Sequence, residues 1–337
     1  MKNSGPKLFD VLGLGCAAVD DLLYVPSFPR ADQKVRVERS LRRCGGLTGA
    51  ALVTAARLGA KCAYAGRLGT DDYSRQVEED FRRESVDVSH APRSPKAGVV
   101  RSVIVVGERA GSRNVFYQVA GLTGAHDTLP AAAVIRASKV LFIDHYGMRG
   151  NLRAAQVARA SGVAVVADFE EEEVPLFQRV VDLVDHLIVS QDFALRMTGE
   201  TCGSRAALAL WRTTRAAVIL THGAKGCWSV SPEAPDTAIG YLAFDVPAAN
   251  TTGCGDVFHG AYAASLARGE PLPERIRFAS AAAALKAMRN EIPRLAAVKT
   301  FLRARPSSLR NAKFTYVPPP TRPSPSHNSH GSQESNR

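Results

Sequence analysis

Apolar and polar residues along this chain fall into two alternating kinds of segment: short continuous apolar runs, and longer stretches with apolar residues at helical spacing. Val11–Gly15 is the first of the runs, closed by glycine, as in a strand buried on both faces whose C-terminal end opens onto a ligand crevice. From residue 139 the order becomes regular, with strands predicted at Val140–Asp144, Val163–Asp168, His186–Val189 and Ala217–Thr221. Helices are predicted between and beside them at Leu152–Ser161, Glu173–Val184, Asp192–Met197 and Ala206–Thr213. Repeated βα units imply a mostly parallel sheet with helices on both faces. Two stretches break the order. Tyr24–Arg43, with Pro26, Pro29 and alternation around Lys34–Val37, predicts a turn into an exposed strand. Val99–Val106 and Asn114–Val119, split by Gly107–Arg113, predict a hairpin. An Ala-rich helix at Ile276–Met288 follows the boundary at Pro271 and Pro273.

Three glycine-rich turns interrupt these elements where chemistry is expected. In Asn250–Ala263, Gly253 and Gly255 flank Cys254, and Val257, Phe258, Ala261, Tyr262, Ser265 and Leu266 then recur at helical spacing. Gly253–Asp256 therefore marks a helix start, whose unpaired N–H groups and dipole favour an anion. Asp256 is either a capping carboxylate or a general base; an anion nest beside a proton acceptor is what phosphoryl transfer to a hydroxyl needs. Cys44–Ala60 supplies a second close-approach turn, with Gly45 and Gly46 ahead of an Ala-rich helix. Thr221–Trp228 is the third, a glycine turn after a strand. Asp168 ends its strand, where ligand groups gather; Glu170–Glu173 fit a solvated helix start.

Composition narrows the class without changing it. The 337 residues, 45% hydrophobic and 22% charged, have no apolar run long enough to span a bilayer and no signal-like N-terminus, so a cytoplasmic protein is expected. Six scattered cysteines without a Cys-x-x-Cys pair point to free thiols. The net charge of +11 is uneven: five basic residues and one acidic residue lie from Arg305 onward. That tail is Pro- and Ser-rich and is expected to be disordered. Nothing but its charge speaks for nucleic acid, so no such partner is expected.

The segment Asn250–Phe258 resembles the second signature of the ribokinase-like PfkB carbohydrate kinases, matching at Thr251, Gly253, Gly255, Asp256 and Phe258, with Asn250 for Asp and Cys254 for Ala. The first signature is matched by Gly45, Gly46, Leu58, Gly59 and Ala60, with Ala50 in place of the usual Asn. The resemblance covers roughly residues 8–302 and implies a three-layer α/β/α sandwich with a small β-sheet lid, one kinase domain over 1–304 and a tail over 305–337. Lid strands are expected near 20–43 and 97–120, often also a homodimer contact in such kinases. By the same resemblance Asp256 is the general base, the amides of Gly253, Cys254 and Gly255 form the anion hole, and Thr221, Gly223 and Gly226 meet ATP. The helix at Ile276–Met288 should pack beside the adenine. Asp20, Gly45 and Gly46 face the sugar; Arg101, Tyr117 and His145 are candidate specificity residues, each open to a structural role.

ATP and Mg²⁺ are the implied cofactors, but the metal ligands stay unassigned, because Ser190–Phe193 replaces the Asn-x-x-Glu that supports magnesium in many members. Asn250 and Arg289–Pro293 replace a monovalent-cation site, so no potassium activation is expected. Within the family, Asp256–Ala261, Arg277–Lys286 and the Asn-less glycine pair look most similar to sulfofructose kinases, while Asp80–Ser89 and Val189–Asp192 look ketohexokinase-like. Both imply a ketose phosphorylated on a primary hydroxyl. A nucleoside or ketohexose kinase, and a catalytically silent homologue with a binding role, are the alternatives.

Overall fold

A computed structural model describes residues 7–109, 112–305 and 313–316. In chain order the first strands and helices are β1 (Phe9–Leu14), β2 (Ala18–Val25), β3 (Arg39–Gly45), α1 (Leu47–Arg57), β4 (Cys62–Tyr64), α2 (Asp72–Arg83), β5 (Val86–Asp87), β6 (Val100–Gly107) and β7 (Ser112–Val119). The alternating half follows: α3 (Ala132–Arg136), β8 (Ser138–Asp144), α4 (Met148–Ala160), β9 (Ala164–Asp168), α5 (Phe177–Val181), β10 (His186–Ser190), α6 (Gln191–Thr198), α7 (Gly203–Leu210) and β11 (Ala217–Thr221). The last elements are β12 (Cys227–Ser231), β13 (Ala234–Tyr241), α8 (Cys254–Ala267), α9 (Leu272–Arg289), α10 (Leu295–Arg303) and β14 (Lys313–Tyr316).

The period-2 geometry of the apolar strands sets the architecture. Val140 and Phe142 of β8, Val166 of β9, Ile188 of β10 and Ile219 of β11 join one core with α1, α8 and α9. Their neighbours Leu141, Ile143, Val165, Leu187, Val218 and Leu220 join a second core with α4, α6 and α7. A sheet apolar on both faces must be covered on both, which gives three layers. Its order is β14-β13-β12-β11-β10-β9-β8-β1-β4-β5, parallel from β11 to β5 and antiparallel beyond. The ribokinase-like sandwich expected from the sequence is thus the observed fold.

A separate four-stranded sheet, β3-β2-β6-β7, stands beside it. Leu22, Tyr24, Ile104 and Val106 form its own small buried cluster. This is the expected lid, with one shift. Residues 31–37 carry no strand and β3 begins at Arg39, so the alternation at Lys34–Val37 misplaced it. The helix expected over Glu173–Val184 is only Phe177–Val181: Pro175 disfavours helical backbone at Val174, and Leu176 adopts φ 68°. Glu170–Glu173 are therefore not a helix start. In the segment expected to lack structure, Lys313–Tyr316 pairs antiparallel with β13; 306–312 and 317–337 lie outside the described residues. No described helix is long and apolar enough to cross a membrane.

Asp144, Asp168, Ser190 and Thr221 terminate four neighbouring parallel strands, so their side chains gather along one rim. Asp144 is fully buried and fixes that rim: it accepts from Cys16 N at 2.7 Å, Thr48 Oγ1 at 2.8 Å and Tyr146 N at 2.8 Å. These bonds tie the ends of β1 and β8 to the first turn of α1. Burial raises the pKa of Asp144, while the three donors favour its charge.

Candidate active site

The loop after β13 turns sharply at Gly253, φ 77°, and α8 begins at Cys254. A side-chained residue would be strained there by the backbone alone, for a methyl on Gly253 would meet Asp256 Oδ2 at 3.5 Å and an Arg43 guanidinium nitrogen at 3.8 Å, both ordinary contacts. The amides of Gly255 and Asp256, in the first turn of α8, lie where a helix offers no acceptor. The amide of Cys254, expected among the anion donors, is instead turned to Thr251 O at 3.2 Å. Its thiol is anchored on α9 through Ala283 O at 3.6 Å.

Asp256 is half-buried, and its pKa is pushed well above the usual carboxylate range. Burial is the main cause; Asp168 and Glu170 add to it, and His259 works against it. His259 lies on α8, near Asp256. Its Nδ1 is 2.8 Å from Gly255 O and 3.3 Å from Asp168 Oδ2, and its Nε2 is 2.9 Å from Ile188 O. The ring so ties the start of α8 to the ends of β9 and β10. Asp168 is buried, and its pKa too is raised well above the ordinary value, by burial and then by Glu170 and Asp144.

This crowding of carboxylates tests the fit of a divalent cation. No described group of three or more His, Cys, Asp or Glu could hold a metal by itself. Mg²⁺, however, keeps several waters and takes one or two carboxylates plus phosphate oxygens, and the mutual repulsion of Asp256, Asp168 and Glu170 is what such a cation relieves. On those terms the residues fit, and Asp168 and Glu170 would hold the ion. The position beside α6 does not contribute. Ser190 is the cap of α6, accepting from Phe193 N at 3.1 Å, and Phe193 is buried against Phe177.

On the lid side, Asp20 of β2 lies opposite Arg43 of β3 and Ser102 of β6, so all three share a face. Any Cβ on Gly45 would overlap the Asp20 carboxylate, and one on Gly46, φ 83°, would lie 2.9 Å from the backbone of Ala17. The glycine pair is thus the floor beneath Asp20. Burial raises the pKa of Asp20, opposed by the Arg43 charge and by Ser102. Tyr117, opposite Ser102 on β7, is on the same face and 66% exposed. Arg101 is a correction. It pairs with Val19, one residue out of step with Asp20, and its guanidinium stacks 4.1 Å from the Tyr73 ring and 3.8 Å from Asp71. It therefore faces away from the Asp20 side. His145 is half-buried after β8, its ring tilted against Tyr146 at 4.4 Å and its Nδ1 3.4 Å from Glu170 N, and so sits by the carboxylate cluster. Ala50 is buried and offers only a methyl.

Thr221, Gly223 and Gly226 lie across from this face, in a cleft of about 570 Å³ that Thr251, Cys254 and Gly255 also line. Ser280, Ala283, Ala284 and Ala287 of α9 line it with small side chains, together with Phe244 and Val246. Small side chains on that helix face let a ligand approach the helix closely. A larger cleft, about 670 Å³, opens behind β3, but Arg42, Arg57 and Arg83 on its wall are paired with Asp21, Glu84 and Asp80.

Two cations that the sequence reasoning passed over reach the turn. Arg113, at the start of β7, donates to Thr251 Oγ1 at 2.9 Å and also lines the cleft. Arg43 is the other. A basic residue beside a lid turn was the only signal for Arg113; for Arg43 it was a position two residues before the glycine pair.

The profile of the family described as pfkB family carbohydrate kinase matches residues 11–291. The chain belongs to this family. The kinase is 27% identical to a ribokinase of Haemophilus influenzae over 285 residues, 81% of this chain and 90% of that protein. It is 24% identical to a 5-dehydro-2-deoxygluconokinase of Shouchella clausii, over 83% of this chain and 90% of the other. The structure of Arabidopsis thaliana ribokinase complexed with ribose and ATP superposes with a TM-score of 0.72 at 20% identity, covering 88% of this kinase and 98% of that chain.

Proposed function

We propose that this sugar kinase moves the γ-phosphoryl group of ATP to a primary hydroxyl of a ketose or related sugar of the fructose or sulfofructose type. The observation that carries the reading is the carboxylate of Asp256 at the mouth of α8, between the Asp20 face and the Thr221–Gly226 cleft. ATP lies in that cleft with its adenine against the small side chains of α9. Thr221, Gly223 and Gly226 hold the phosphates. The sugar rests on Gly45 and Gly46 with a hydroxyl on Asp20.

Asp256 takes the proton of the attacking hydroxyl as its oxygen bonds to the γ-phosphorus; the bond to the bridging oxygen breaks, and ADP leaves with the electron pair. Amides at the start of α8 stabilise the charge on the moving phosphoryl oxygens. Asp168 and Glu170 would hold Mg²⁺, which would supply neutralisation of the triphosphate charge. His145, beside Glu170, positions that cluster. Ala50 removes one polar sugar contact and Arg43 adds a cation beside Asp20, which favours a sugar other than plain ribose.

Phosphorylation by ATP, followed by phosphorus NMR over ketoses, sulfosugars, ribose and nucleosides, tests the reading. Ketoses or sulfosugars carrying a new primary phosphate are expected to dominate. A nucleoside product would favour the alternative kinase, and no product on any acceptor would favour the silent homologue. Retention of Asp256 beside Gly253 and Gly255 argues against the latter. All six cysteines are unpaired, which suits the cytoplasm.

The lid supports a homodimer. Val115, Phe116, Tyr117 and Val119 of β7 are all more than 40% exposed, an apolar edge that a second copy would cover. Phe116→Glu is expected to convert a dimer to a monomer in sedimentation; an unchanged sedimentation coefficient would remove the lid from that role.

A further inference from the structure

Lys286 is unlike every other lysine described: its side chain lies in the core of α9, 1% exposed. Among the described residues its one hydrogen bond goes to Asn290 Oδ1 at 3.2 Å, although an ammonium has three donors. Burying such a charge is strongly unfavourable unless a negative charge meets it. The turn above it is fastened to the same stretch of helix: Ala249 N and Asn250 N both donate to Ala287 O, at 2.8 and 3.1 Å, and Cys254 Sγ meets Ala283 O. Asn250 and Thr252, each at least nine-tenths buried in that turn, carry side-chain atoms without a hydrogen-bond partner, Nδ2 and Oγ1. Asn250 is neutral and offers the ammonium no opposite charge; Asp256 is the carboxylate that favours it.

We propose that Lys286 is a built-in counter-cation beneath the phosphate-holding turn, a positioning residue whose charge acts through Asn250–Cys254 on an incoming phosphoryl group. The proposal rests on the kinase reading of that turn. The groups facing Lys286 are Cys254 and Asp256 from α8, Arg43 from β3 and Arg113 from β7. Burial, with Arg43 adding to it, lowers its pKa to about 8, so the charge is present at neutral pH and lost as pH rises through that value. Burial raises Cys254, which stays a thiol over that range.

Lys286→Met and Lys286→Ala, assayed in the full chain, test this. Turnover at pH 7 is expected to fall about 10–10²-fold in both, less than or comparable to the loss of one anion-hole donor. Wild-type kcat should decline above pH 8, and that alkaline limb should vanish in Lys286→Met. Ammonium, methylammonium or potassium ions should restore Lys286→Ala about tenfold, an order-of-magnitude expectation for a replaced point charge, and leave the wild type unchanged. Wild-type turnover and an intact alkaline limb in Lys286→Met would overturn the proposal, as would equal salt responses of wild type and Lys286→Ala. If the alanine variant does not fold, the pH profile of the methionine variant decides. Should the wild type phosphorylate no acceptor, the functional reading fails separately, and ATP affinity by calorimetry still decides this one: a tenfold loss in Lys286→Met upholds it, and no change sinks it.

Discussion

Asp256→Asn is expected to lower kcat by about 10²–10⁴-fold, the range for a lost general base, with KM for ATP changed by less than about threefold because ground-state contacts survive. The substitution keeps the shape of the side chain, the turn at Gly253 and the amides of α8, and removes only the proton acceptor. The acid limb of kcat/KM gives an independent check. Since burial, Asp168 and Glu170 raise Asp256 above the ordinary carboxylate range, the limb should lie above the pH at which a solvated aspartate ionises. The sign follows directly: the base works only when ionised, so activity rises with pH through the raised value. Bound Mg²⁺ should move the limb back toward acid, because a cation beside the cluster favours its charged form. In Asp256→Asn the limb should disappear. Turnover within a few-fold of wild type would remove Asp256 from proton transfer.

Much of this site was legible in the sequence, and the reason is physical. Central parallel strands buried on both faces must be continuously apolar, so β8, β9, β10 and β11 announced themselves to within about two residues. Gly45, Gly46 and Gly253 were visible because each is demanded by local backbone or by a carboxylate pressed against it. Strands with one wet face carried less signal. β2 holds Asp20 and Asp21 in its middle and was legible only as part of the broad lid stretch near 20–43, while β12 and β13, antiparallel additions without a strong period, were not anticipated.

Faces and long-range meetings were the least legible. Arg101 and Ser102 differ by one residue, yet one turns to Tyr73 and the other to Asp20; a single step of register decides it. Arg113 and Thr251 are 138 residues apart, and no local pattern joins them. Lys286 sits in an Ala-rich helical run where an isolated lysine looks like solvent exposure; only the packing of α8 and α9 buries it. Such contacts exist because the lid sheet and the turn close on one another, a property of the fold and not of either segment.

Gly45→Ala should show how tightly the two halves are built to each other. The new methyl would occupy the space of the Asp20 carboxylate, and because the obstacle is a short side chain held between Arg43 and Ser102, it has little room to swing away. The carboxylate must leave the sugar side or β2 must shift. KM for the sugar is expected to rise about 10–10²-fold, since a lost charge-assisted hydrogen bond is worth roughly 1.5–3 kcal/mol. KM for ATP, set across the site by Thr221–Gly226, should stay near wild type. Asp20→Ala should produce a similar rise by removing the same contact directly. The double variant discriminates: with no carboxylate to displace, Gly45→Ala should cost little more in an Asp20→Ala background, giving a coupling energy of about 1–3 kcal/mol for residues in contact. Additive losses would mean that the methyl acts on the glycine turn itself, and that Asp20 meets the sugar, if at all, from a position this geometry does not require.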